Sequence, residues 1–387
     1  MTKKLLSAAL VLSTLFLAAC GSSDPQISTA ESTATHTTEA SETSAPVQTE
    51  GSTLASSTAS ETTISSVSET QSPSETQTQP PETEETQTSA TEAPSEAFSF
   101  VFDPYSISSE YAALYGDEFV SVYRGLADAF INYETTCPCE SEELFSLLFA
   151  AVDSCMPYFA SDAVLTYESY DVEAKTITIH YRSASKAEHD AAYLGFISAV
   201  EGYFAEGIHA EDSDLLKAIS LYKNFSSAIS YDLNSEDVSA FGALTSRKGI
   251  AHGFSTAYAY LLRQAGINAN TCGGLSFDGT AAHEWVVFEL DGLWFYADPT
   301  YESGETGGLG LSYFGTNNAE RKDAGYTPEH FRLGATGALW AKDLAADGNH
   351  FDFLRGSTAF VIDRANSTLT LSNGVSVNIS ELPGGSK

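Results

Sequence analysis

Basic residues are scarce in this sequence. Its 387 residues carry 18 Lys and Arg against 52 Asp and Glu, a formal charge of −34 at neutral pH. So acidic a chain does not draw a phosphate backbone, and nucleic-acid binding is excluded. Cysteine is scarce too, with five in all. Around Cys137, Cys139 and Cys155 the chain offers no fourth ligand at a familiar zinc spacing, so no metal site is expected. Cys137-Pro138-Cys139 leaves one residue between sulfurs, too tight for an easy bridge to each other. An exported protein would instead pair one of the two with Cys155. No phosphate-cradling glycine loop is present, because Gly307-Gly308-Leu309-Gly310 is not followed by a helical pattern. Nothing calls for a nucleotide, flavin or haem, and no cofactor is expected.

What is present begins with an export signal. Lys3 and Lys4 precede an apolar run from Leu5 to Leu17, too short to span a bilayer. The run closes on Leu17-Ala18-Ala19-Cys20, which resembles the bacterial lipobox, whose cysteine is lipidated. Residues 1–20 are therefore expected to be a lipoprotein signal peptide and Cys20 the lipidation site. The protein is then held to the cell membrane on its extracellular face; the alternative is an ordinary secreted protein with a cysteine near the cut. Residues 21–97 hold thirteen acidic residues and no Lys or Arg, among Ser, Thr, Gln, Pro and Ala. Such a segment has too little apolar surface to offset the entropy of ordering it, and reads as a disordered stalk. Its reach is about 50 Å as a flexible coil and about 240 Å drawn into polyproline II.

Removing the thirteen stalk acids and the two signal lysines leaves a balance of −23 from Phe98 onward. That balance suits solubility outside the cell and says little about fold. Residues 98–210 read as an α+β N-terminal subdomain. Phe119, Val122, Leu126 and Phe130 give helical spacing over Asp117–Tyr133, and Ser141–Val152 repeats it. Ala163–Val172 and Thr176–Arg182 alternate as strands about a turn at Glu173–Lys175. Helices are predicted over Ser185–Ala205 and Asp212–Ser230. Residues 303–387 form a C-terminal extension ending in two alternating runs, Ala359–Ile362 and Leu369–Ile379, read as a terminal hairpin closing an edge.

The stretch from Arg247 to Tyr301 organises the rest. Gly249 to Gly253 starts a helix that Gly266 ends, a strand follows, and two further strands are joined by Asp291-Gly292, a strong hairpin signal. With a two-residue loop, Leu290 faces Leu293 and Trp285 lies opposite Asp298. His283, Trp285, Trp294, Tyr296 and Asp298 then share one face, and Val286, Phe288, Leu290, Leu293 and Phe295 the other. His283 and Asp298 become diagonal neighbours able to hydrogen-bond. A carboxylate holding an imidazole in one tautomer is two-thirds of a nucleophile–histidine–aspartate arrangement. The nucleophile would belong at a helix N-terminus, where free N–H groups and the dipole favour a thiolate.

These residues resemble the transglutaminase-like family, a papain-like fold. Its core reads roughly G-V-C-x-G-Y, then GI-x-A, then H-x-W, then W-x-x-x-D-P-T. Gly249, Ile250, Gly253 and Phe254 fall on the first motif, and Gly266-Ile267 with Ala269 on the second. His283 with Trp285, and Trp294 with Asp298-Pro299-Thr300, fall on the others. The resemblance implies an α+β fold whose core, residues 211–302, packs a helix on an antiparallel sheet. It also implies amide chemistry, peptide cleavage or Gln–Lys cross-linking. One position departs: where the family carries its cysteine, this sequence has Ala251, whose methyl cannot attack a carbonyl.

Function therefore divides. In the first reading the domain is a catalytically silent binding module for a peptide, a surface protein or a cell-wall component. His283 and Asp298 are then a remnant dyad, with Trp285, Tyr301 and His252 as candidate contact residues, although Trp285 and Trp294 also suit packing and His252 an exposed first-turn position. In the second the domain is a working hydrolase or acyl transferase using Ser255, Cys272 or a water activated by His283. Asp298 before Pro299 also suits a simple turn, and a third reading makes the domain a rigid spacer.

Overall fold

Serine begins five of the helices, and its hydroxyl accepts from a backbone N–H of the first turn in each. Ser108 caps α1 (Ser109–Ile131), Ser141 caps α2 (Glu142–Cys155) and Ser185 caps α3 (Lys186–Phe204). Ser213 caps α4 (Asp214–Ala228) and Ser239 caps α5 (Ala240–Ser246). Each such cap stabilises its helix by about 1 kcal/mol. The next helix, α6 (Ala251–Gln264), is different: Ile250 stands at its N-cap and supplies no side-chain cap. This computed structural model describes residues 98–276, 281–323, 332–333 and 346–386. The signal with Cys20 and the stalk lie outside the described residues. Among the described residues no helix is long and apolar enough to cross a membrane.

The central sheet is antiparallel. Its strands are β1 (Ala269–Leu275), β2 (Ala282–Leu290), β3 (Leu293–Ala297), β4 (Phe314–Thr316) and β5 (Arg332–Leu333), in the order β4-β3-β2-β1-β5. Asp291 and Gly292 both have positive φ, 51° and 77°, as a two-residue hairpin turn requires. Leu293 pairs with Leu290 and Ala297 with Val286, so the register is the one the turn predicts. Val286, Phe288, Leu290 and Phe295 join Phe254, Ala257, Tyr258, Leu261 and Leu262 of α6 in the core, while Leu293 at the turn is 39% exposed. Helix α6 is buried almost throughout. Close packing of its first turn depends on Gly253, where an added Cβ would stand 2.7 Å from the Val238 carbonyl oxygen ahead of α5. Gly266 follows the helix at φ 83°, the left-handed residue after a C-cap. The fold is α+β, as expected, with a continuous core that draws on residues from Tyr111 to Ile379.

Several elements differ from their sequence-based outlines. Helix α1 starts eight residues before Asp117, at Ser109, and breaks at Gly116, whose φ of 78° leaves the helical region. The two long strands expected over 163–182 are short pairs. Residues 163–164 pair with 180–181, and 176–178 pair with both 170–171 and 136–138. A reciprocal Thr166–Ser169 capping box turns residues 167–169 into a 3-10 turn and interrupts the first strand. At the C-terminus the expected hairpin is a three-stranded meander of β6 (Phe360–Asp363), β7 (Thr368–Leu371) and β8 (Ser376–Asn378), because Gly374 at φ 86° folds the second run back. It forms a sheet of its own and closes no edge of the central one.

The expected disulfide does not form. Cys137, Cys139, Cys155 and Cys272 are all free and buried. Cys139 donates to the Ser141 carbonyl and Cys155 contacts the Ser154 hydroxyl, so these sulfurs are engaged elsewhere. Burial pushes the Cys137 thiol up to about 12, which makes these small apolar groups rather than reactive ones.

Candidate functional site

The β2–β3 hairpin delivers His283 and Asp298 to one another. His283 Nε2 lies 2.8 Å from Asp298 Oδ2, and both side chains are buried. Asp298 does more than orient the ring. Its Oδ1 accepts from the Tyr301 N–H at 3.2 Å and caps α7 (Pro299–Thr306), so the residue is both dyad member and helix start. Its Oδ2 also receives Arg321 Nη2 at 2.8 Å. Burial alone would raise the carboxyl pKa, but the attraction of Asp298 to its neighbours His283 and Arg321 and their hydrogen bonds outweigh it and bring Asp298 down to about 2. An ionised carboxylate only accepts, so His283 donates to it from Nε2, and Nδ1 is the ring nitrogen not engaged by Asp298. Among the described residues no hydrogen bond occupies Nδ1.

Aromatic residues close around this pair. Trp285 lies 6.0 Å from the His283 ring and Tyr301 meets it edge-on at 5.1 Å. Trp285 was a candidate contact residue, and the structure corrects this: the indole is fully buried and Arg321 lies over its face at 4.4 Å. No ligand can stack there. Tyr301 is partly exposed beside the imidazole and keeps its candidacy.

Arg321 is the residue sequence reasoning missed. It sits in α8 (Asn318–Asp323), inside the C-terminal extension, and is 1% exposed. A signal for its helix exists. Asn317 Oδ1 accepts from the N–H groups of Ala319 and Glu320, and Glu320 returns a carboxylate to the Asn317 N–H, a capping box.

Ala251 opens α6, the helix without a side-chain cap, and is 6% exposed. Glu284, the residue after His283, reaches His252, the residue after Ala251, which ties the start of β2 to the first turn of α6. His252 was expected to be an exposed first-turn residue, and is not. Its Nδ1 lies 2.8 Å from Glu284 Oε2 and its Nε2 2.6 Å from Asp153 Oδ2, with the side chain 30% exposed. Burial would lower its pKa, yet the two carboxylates prevail and hold it well above the ordinary value. The two side chains named as alternative nucleophiles are both out of reach of solvent. Ser255 is fully buried and donates to the His252 carbonyl, and Cys272 is fully buried with its thiol pKa pushed well up by desolvation. Among the described residues no cluster could hold a metal ion.

The site thus draws on the first turn of a helix, a histidine–aspartate pair and an antiparallel sheet. Residues 202–299 match the family model of the transglutaminase-like superfamily, so the chain carries a transglutaminase-like domain there. No curated protein matches the sequence. Similar solved structures include a candidate cysteine protease from Cytophaga hutchinsonii, at 21% identity over 27% of this chain and 36% of that one, TM-score 0.23. A TGase is similar at 17% identity over 36% and 43% of the two chains, TM-score 0.25. The periplasmic domain of TgpA from Pseudomonas aeruginosa, bound to ethylmercury, is similar at 18% identity over 36% and 68%, TM-score 0.21. The matched parts span less than half of the first two structures' chains.

Proposed function

We propose that this chain is a lipid-anchored protein on the extracellular face of a bacterial membrane, whose transglutaminase-like domain binds its ligand without turning it over. The ligand class is a peptide, a surface protein or a cell-wall peptide. One observation carries the reading: the site helix opens on Ala251 with no side-chain cap. Its first N–H groups are left for a ligand carbonyl or carboxylate, and no nucleophile stands among them. His283 adds an Nδ1 not engaged by Asp298, and the half-buried Tyr301 lies against its ring. An acyl group can therefore be held and polarised at this helix end, but no covalent bond to the protein follows.

Binding is tested by titrating a mixed peptide library and peptidoglycan stem peptides into the full chain and its His283→Ala variant. The full chain is expected to bind without hydrolysis, and the variant to bind roughly tenfold more weakly, the value of one hydrogen bond to a polarised group. Hydrolysis that resists alkylation and vanishes in His283→Ala would identify a water-based hydrolase instead. Anchoring is tested separately by expressing Cys20→Ser: loss of the lipid should move the protein from membrane to medium. Retention of the variant in the membrane fraction would refute the anchor.

A further inference from the structure

The Asp153–His252–Glu284 cluster stands outside the histidine–aspartate pair, and nothing in the proposed binding reaction uses it. Its three members come from α2, the first turn of α6 and β2. Both ring nitrogens of His252 face a carboxylate oxygen, at 2.6 and 2.8 Å. A neutral imidazole has one N–H, so its other nitrogen would set a lone pair against a carboxylate lone pair at hydrogen-bond distance. With both carboxylates ionised, the geometry is satisfied by the imidazolium, with two charge-assisted bonds. A cation in the first turn opposes the helix dipole, and the paired carboxylates offset that cost.

We propose that His252 is a positioning residue whose doubly bonded imidazolium pins α2 and β2 to the first turn of α6, and releases that turn when it loses its proton. Its role in ligand binding rests on the function proposed above, because the pinned turn carries the free N–H groups. Glu284 adjoins His283, so the same contact fixes the spacing between those N–H groups and the imidazole of the dyad. Asp153 extends the tie to the N-terminal region, ninety-nine residues away in sequence.

Among the described residues no other charge is seen to compete for the ring. Asp153 and Glu284 are the charged groups that face it; α5 and β1 contain none, Lys217 of α4 is paired with Asp214 and Lys223 lies over the Phe360 ring, Lys248 is paired with Asp232, and Glu302 of α7 accepts from the Tyr313 N–H. Ser255 contributes a hydroxyl 3.4 Å from Glu284 Oε2. The raised pKa of His252 agrees with this geometry. The sign follows from the raised value. The stabilisation is complete below the unfolded-state value of about 6.5 and is lost as pH rises through the folded value. Alkaline conditions therefore loosen the turn, and neutral or mildly acidic ones hold it.

The test needs no ligand, so its failure is separable from failure of the binding reading. The imidazole signals of the full chain are followed by NMR from mildly acidic to alkaline pH, with His252 assigned from His252→Gln. A midpoint well above about 6.5 is expected, falling in both Asp153→Asn and Glu284→Gln. Hydrogen exchange is then read near neutral pH. Amides of residues 251–254 should exchange about tenfold faster in His252→Gln, as loss of charge-assisted bonds implies, while α4 stays protected. If His252→Gln fails to fold, Glu284→Gln serves the same comparison. A wild-type midpoint at or below the ordinary histidine value, or first-turn exchange unmoved by the substitution, overturns the proposal.

Discussion

Arg321→Met is expected to cost about 3–5 kcal/mol of stability, because it leaves the Asp298 carboxylate buried without its guanidinium partner. Arg321 is 1% exposed and Asp298 fully buried, so water cannot replace the missing bond. The contact of the guanidinium with the Trp285 face, at 4.4 Å, is lost as well. Such a loss is a large fraction of the ~5–15 kcal/mol that separates folded from unfolded chains. Acid titration should report the same network. Asp298 is lowered to about 2 in the folded protein. Its contribution, roughly 2 kcal/mol, is present above the unfolded value of about 3.9 and is lost as pH falls toward the folded one. In Arg321→Met the carboxyl pKa rises, and acid unfolding should begin at higher pH. Urea denaturation near neutral pH and circular dichroism during acid titration measure the two effects. A variant within about 1 kcal/mol of the parent would show that Arg321 does not hold the carboxylate.

Ala251→Cys should have the opposite kind of consequence, a gain of chemistry with little change in fold. The position is the first residue of an uncapped helix and is 6% exposed, so a thiol there meets free N–H groups and the positive end of the dipole. Those groups lower the thiol pKa, in contrast to Cys272, whose burial raises it. Asp298 already holds His283 through Nε2, so Nδ1 is the nitrogen that would take the thiol proton, and the carboxylate would stabilise the resulting imidazolium. A general base so placed contributes about 10²–10⁴-fold. Adding His283→Ala to Ala251→Cys should therefore remove most of the acquired rate.

The parts of the site that were legible are those set by local rules. Asp291-Gly292 fixes the hairpin register, and alternation along two strands then places His283 beside Asp298 without further information. The glycines around Ala251 mark the helix start in the same way. Arg321 escaped because its helix lies beyond a Gly-rich segment and meets Asp298 only through the tertiary fold; its capping box announced a helix but not its target. His252 was misjudged for a related reason. Its partner Asp153 lies on a helix ninety-nine residues earlier, and no periodicity joins them. The short helices α5 and α7 hold seven and eight residues, too few for an apolar period to stand out. Cys137, Cys139 and Cys155 were read from the habits of exported proteins, and core packing decided otherwise. The strands over 163–182 alternate correctly in sequence, but the Thr166–Ser169 capping box outcompetes the ladder.

The central claim is that a poised histidine–aspartate pair here lacks only a nucleophile. It is tested most directly by assaying hydrolysis of a mixed peptide library by the full chain, by Ala251→Cys, and by Ala251→Cys with His283→Ala, each with and without iodoacetamide. The account predicts silence from the full chain, alkylation-sensitive turnover from Ala251→Cys, and loss of that turnover in the double variant. Turnover by the unmodified chain would contradict it.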